Sequence, residues 1–135
     1  MADANSPAPR PLSPHLQIYK PMLTMMMSIV HRLTGSALYV GTLGLAWWLI
    51  AAASGPVYFD MVQSVFGSVL GQLALVFYTW ALIHHMFGGL RHFAWDTGRG
   101  FELPTVEAMA RLNLAASLAL TALIWGYLLF AGGGA

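Results

Sequence analysis

The chain has 135 residues, 58% of them hydrophobic and 8% charged, with a mean hydropathy of +0.65 and a net charge of +1. A soluble domain carries about 25% charged residues, so water alone would not solvate this surface, and the near-neutral charge offers nucleic acid no basic face. The absence of cysteine excludes disulfides, cysteine-ligated iron–sulfur clusters and thiol chemistry.

Residues 1–21 are polar and proline-rich, with neither the apolar core of a signal peptide nor the long Arg- and Ser-rich leader of organelle import. They are expected to form a cytoplasmic N-terminal segment. Three stretches then lack Lys, Arg, Asp and Glu altogether: residues 33–59 (27 residues), 61–90 (30) and 112–135 (24). Each exceeds the roughly 20 residues that a helix needs to cross the hydrocarbon core. Backbone groups in lipid must be satisfied within the segment, and none of the three shows the alternation of a barrel strand. The expected class is an all-α membrane protein with a three-helix anchor over 22–131.

Breakers set the expected bounds. Pro21 delays the first helix, placed over about 24–53, and Ser54-Gly55-Pro56 ends it. The second is expected over about 64–95, ended by Thr97-Gly98-Arg99-Gly100, and long enough to tilt or protrude. The third is expected over about 105–131, with Thr105 as its N-cap, Glu107 in its first turn and a short external tail at 132–135. Arg10, Lys20 and Arg32 precede or open the first span, and Arg91, Arg99 and Arg111 surround the second connection. The first connection and the tail have no Lys or Arg, so the positive-inside rule predicts a cytoplasmic N-terminus and a periplasmic C-terminus. Trp47, Trp48, Tyr58 and Phe59 fall where an external aromatic belt would lie, and Trp95 where the cytoplasmic one would.

An ionisable group inside a span costs roughly 2.5–3.5 kcal/mol, so it faces protein, water or a ligand. Ser28, His31 and Arg32 stand at i, i+3 and i+4, with Gly35 one turn beyond His31, and share a face. His85 and His92, seven residues apart, are only about 20° out of register and roughly 10 Å apart along the axis. Gly88 and Gly89 lie one turn from His85 on the same side. An imidazole above a bare helix surface makes a flat slot suited to a planar ligand such as haem. His31, Arg32, Arg91 and His92 would then meet the propionates. Spacing leaves alternatives open: glycine pairs also serve close helix packing, and Arg91 and His92 can snorkel to headgroups. His84 points about 100° away from His85, toward a neighbouring helix. Met22, Met25, Met26 and Met27 read as pliable packing rather than copper ligands. With one axial histidine at hydrophobic depth, a six-coordinate iron would take its second ligand from another chain. The Ser28 hydroxyl and Arg32 guanidinium can hydrogen-bond a quinone carbonyl and stabilise the charge that forms on reduction; the alternative is a backbone bond for Ser28 and a headgroup for Arg32.

Three motifs in order, RPLSPHLQIY at 10–19, SIVHRLTG at 28–35 and HMFGGLRH at 85–92 with Trp95-Asp96 beyond, resemble the cytochrome b membrane anchors of succinate dehydrogenase, respiratory complex II. The resemblance covers nearly the whole chain and is closest to the alphaproteobacterial and mitochondrial versions. It implies His85 as the metal ligand of haem b, Ser28 and Arg32 at a ubiquinone site, and His31 and Arg32 near the propionates. His92 and Asp96 match family positions at the cytoplasmic end. It also implies a companion membrane anchor, a separate chain giving the second axial histidine and a quinone-bonding tyrosine. An iron–sulfur subunit and a flavoprotein subunit would dock on the cytoplasmic side. Without a leader, a bacterial inner membrane is expected in preference to the mitochondrial one. The adjacent His84 leaves the ligand choice to the glycine-face argument. The expected function is a haem- and quinone-binding subunit of succinate:ubiquinone oxidoreductase, with no succinate oxidation by this chain alone. Rival readings are a packing or assembly protein, a fumarate reductase anchor, and a proton or ion conductor. The last is weakened because no ionisable group reaches the external half of any span.

Overall fold

The structure, a computed structural model, describes residues 19–131, which form four α-helices and no strand. The motif at 10–19, apart from Tyr19, and the tail at 132–135 lie outside the described residues. Helix α1 (Leu23–Ser54) follows the extended Met22 and, at 32 residues, is about 48 Å long. Gly55 ends it at φ 116°, a conformation closed to side chains with a Cβ. Pro56 then opens α2 (Pro56–Gly67), where its fixed φ suits a first helical turn. Helix α3 (Val69–Asp96) ends at Thr97 and Gly98, the latter at φ 74°. Helix α4 (Leu103–Ala131) completes the set.

The single helix expected over 64–95 is therefore divided. Ser68 takes an extended conformation (ψ 158°), and its hydroxyl accepts the Gly71 N–H at 3.1 Å, capping α3. Gly71 lets the two helices meet, because a Cβ there would collide with the Val65 and Phe66 carbonyl oxygens. The first connection is thus largely helix α2, tied to α1 by Trp47 Nε1 donating to Tyr58 Oη (2.9 Å) and Trp48 Nε1 to Gln63 Oε1 (3.0 Å). Nor is Thr105 an N-cap: α4 begins at Leu103, Pro104 enters its first turn, and Glu107 pairs one turn on with Arg111 at 3.1 Å.

Helices α1, α3 and α4 are each long and apolar enough to cross a membrane. Helix α3 is central, packed against both α1 and α4, which touch each other little. The apolar side chains mostly face outward, Tyr39, Leu70, Leu123 and Phe130 among them. Beside apolar residues such as Met27, Val62 and Ile83, the buried set includes Thr34, His84, Arg91, Asn113, Ser117 and Thr121. Lipid removes the hydrophobic drive between helices, so close backbone approach and interhelical hydrogen bonds hold such a bundle. Gly41 illustrates the first, since a Cβ there would collide with the Tyr78 ring.

Candidate functional site

The site forms where the first three turns of α1 meet the last three of α3. His85, half-buried, places Nδ1 3.1 Å from the His31 carbonyl oxygen and 3.4 Å from Thr34 Oγ1. A carbonyl only accepts, so Nδ1 carries the proton and donates. Nε2 then keeps its lone pair; it has no hydrogen bond among the described residues and is not occluded. The His31 imidazole stacks on that of His85, with centroids 4.0 Å apart and planes 3° from parallel. His31 is in turn 5.3 Å from His92, which meets Trp95 edge-on at 5.1 Å.

The two glycines divide their work, contrary to the single flat slot expected over both. The bare face of Gly88 receives His31: a Cβ there would collide with Nδ1 and stand 2.7 Å from Cε1. Gly89 has nothing within 4 Å of the same position, so its face is open. Gly35 serves His85 as Gly88 serves His31, since a Cβ on it would lie 2.9 Å from His85 Cε1.

His84 is fully buried on the other side of α3, with Nδ1 3.3 Å from Ser117 Oγ of α4 and the Trp80 ring beside it at 5.1 Å. No ligand from outside the bundle reaches it, so of the two adjacent histidines only His85 is partly exposed. Asn113, oriented to satisfy its amide, donates to the His84 carbonyl and accepts the Gly88 N–H, both at 3.3 Å. It thereby grips the turn of α3 that carries His85.

Beside the stacked imidazoles lies a cavity of about 170 Å³. Ser28, His31, Arg32 and Thr24 line it from α1, Arg91, His92 and Trp95 from α3, and Val106 from α4. The structure thus gathers the sequence-predicted Ser28, His31, Arg32 and His92 around one space. Arg91 is 6% exposed, its guanidinium carbon is 5.1 Å from the Trp95 ring centre, and its Nε has no partner. Asp96 ends α3 exposed, outside the lining. Sequence reasoning leaves out Thr24, Trp95 and Val106 as lining residues; only Trp95, one turn past His92, has a signal in the spacing. A larger cavity of about 410 Å³, lined by Gly41, Trp48, Gln63, Gln72 and Tyr78 among others, has no charged lining residue. Size alone therefore does not select the chemical site. No three His, Cys, Asp or Glu side chains converge among the described residues as a multidentate metal site would need.

These features define an all-helical, three-span membrane protein with a cationic, imidazole-rich cavity at one end of the bundle. Residues 6–124 match the succinate dehydrogenase/fumarate reductase transmembrane subunit family, and the chain belongs to that family. The succinate dehydrogenase cytochrome b556 subunit of Paracoccus denitrificans is 41% identical over 123 residues, covering 91% of this chain and 94% of that protein. The protein of the same name from Rickettsia typhi is 36% identical over 116 residues (86% and 90%). The human mitochondrial succinate dehydrogenase cytochrome b560 subunit is 39% identical over 98 residues (70% and 57%).

Proposed function

We propose that this chain is the haem b- and quinone-binding membrane anchor of a succinate:ubiquinone oxidoreductase. It passes electrons from the iron–sulfur subunit toward ubiquinone and oxidises no succinate itself. The observation that carries the reading is the state of His85. Its Nδ1–H is committed to a main-chain carbonyl while Nε2 has no hydrogen-bond partner among the described residues, the arrangement an imidazole needs to ligate iron. The donor set fits haem b: His85 would hold the metal, Gly89 offers an open helix face, and His31, Arg32 and His92 would supply donors and cations to the carboxylates. When bound, haem b supplies one-electron storage at this end of the bundle.

This chain's own contribution to quinone reduction is recognition. The Ser28 hydroxyl donates to a quinone oxygen, and the Arg32 guanidinium holds the negative charge that develops there as electrons arrive. Arg91, buried and pinned on Trp95, adds a fixed positive field to the cavity wall. A second histidine for the haem iron and the remaining quinone contacts would come from a companion membrane anchor. The iron–sulfur and flavoprotein subunits dock on the basic, cytoplasmic end, and the C-terminus faces the periplasm of a bacterial inner membrane. The family description also covers fumarate reductases, so the reverse direction with another quinone is the second reading.

The test is a dithionite-reduced minus oxidised visible spectrum of the gently solubilised complex, wild type beside His85→Ala. A b-type α band present in the first and lost in the second is expected. An unchanged band in the variant would sink the ligand assignment. No band in an intact, succinate-oxidising wild-type complex would remove haem but keep the anchor.

A further inference from the structure

We infer that Thr34 is a positioning residue for His85: its hydroxyl, together with the His31 carbonyl, holds the imidazole in the Nδ1–H tautomer and so keeps Nε2 as the unprotonated donor toward iron. The inference rests on the haem reading above and concerns a residue to which that reading gives no role.

Thr34 is 2% exposed and lies on α1 directly opposite His85 of α3. Its Oγ1 is 2.9 Å from the Val30 carbonyl and 2.9 Å from the His31 carbonyl. The hydroxyl has one proton, and both carbonyls can only accept, so that proton points back along its own helix. Toward His85, at 3.4 Å, Thr34 therefore presents lone pairs. The His31 carbonyl presents another at 3.1 Å. Both protein oxygens near Nδ1 are then acceptors. A bare Nδ1 would set lone pair against lone pair in a poorly screened site, whereas Nδ1–H satisfies both.

The ring is also fixed in position. His31 covers one face at 4.0 Å. Gly35, the residue after Thr34, leaves room at the Cε1 edge, where a Cβ would come within 2.9 Å. Thr34 and Gly35 thus act as adjacent halves of one seat: the first supplies an acceptor, the second supplies space. Partners of this kind orient metal-bound imidazoles and set their basicity. Losing an acceptor from Nδ1–H makes the imidazole a poorer electron donor, which favours ferrous iron.

The experiment compares Thr34→Val and Thr34→Ser in the whole assembled complex by haem content per complex, the ferric haem electron paramagnetic resonance signal, and the haem midpoint potential. Valine keeps the shape and removes the hydroxyl; serine keeps the hydroxyl. The inference expects the valine variant to show a shifted signal and a raised potential, or to lose haem outright. Serine should stay close to wild type. A valine variant with wild-type signal and potential would overturn it. So would equal haem loss in both variants, because the site would then need threonine's shape rather than its hydroxyl. Retention of the haem spectrum by His85→Ala overturns the underlying ligand reading instead, and is separately recognisable.

Discussion

His31 presents its two ends to different neighbours. Its carbonyl oxygen accepts from His85, while its imidazole stacks on the same ring, fills the bare face of Gly88 and lines the cavity with Ser28 and Arg32. The glycines around it should consequently respond in opposite ways. Gly88→Ala drives a Cβ into the His31 imidazole and is expected to destabilise the complex by about 1–3 kcal/mol, the usual cost of overpacking. The melting temperature followed through the haem band would report it. Gly89→Ala meets nothing within this chain, so accumulation of the protein should be unchanged; if haem lies on that face, haem per complex should fall. Wild-type haem content there would remove Gly89 from the site. Arg32→Ala withdraws a charge-assisted donor worth about 1.5–3 kcal/mol, so ubiquinone reduction should drop roughly ten- to a hundredfold. Succinate-to-dye transfer should persist, and equal loss of both activities would indicate failed assembly. Much of this cluster is legible in the sequence, because helical spacing alone turns His84 away from His85, and His84 indeed faces Ser117. Thr34 and Asn113 do not stand out there, since their roles depend on interhelical register, which one sequence does not encode. The visible trace is Asn113, Ser117 and Thr121 at four-residue steps in an otherwise apolar run, a polar stripe without a known partner.

At the scale of elements, the joint between α2 and α3 shows why a long apolar run misleads. Residues 61–90 contain no charge to mark a boundary, so hydropathy reads continuously through a place where the backbone turns. The turn is made by local chemistry, the Ser68 hydroxyl on the Gly71 N–H and the bare Gly71 under two carbonyls. Removing the cap with Ser68→Ala should cost about 1 kcal/mol. Gly71→Ala should cost more, because the obstructing atoms are backbone and cannot swing aside. Thermal inactivation of the two complexes in parallel would rank them; the reverse order would show that the joint rests on the cap. The start of α4 misleads in the other direction. Thr105, expected as the cap, lies inside the helix, and Pro104 before it occupies the first turn, where its missing N–H has no helical partner to lose.

For the whole molecule, the class and number of spans follow from composition, because 58% apolar residues with 8% charge leave few other architectures. The topology proposed from Lys and Arg predicts that an alkaline phosphatase fused after Ala131 is active in the periplasm, while one fused near Arg99 is inactive. The opposite pattern would invert the docking face. The interior, in which polar and apolar side chains are mixed where a soluble bundle would be greasy, is less legible, since burial depends on which faces meet. Adjacent residues of the central helix are gripped by two different helices, His85 by Thr34 and the His31 carbonyl, His84 by Ser117, with Asn113 on the next turn. Such a helix is keyed like a shaft with two splines. Turning it about its long axis would break both sets of bonds together, whereas a lean or a small slide strains them gradually. The angular aim of His85 is thereby set by bonds that α3 makes to two neighbouring helices at once.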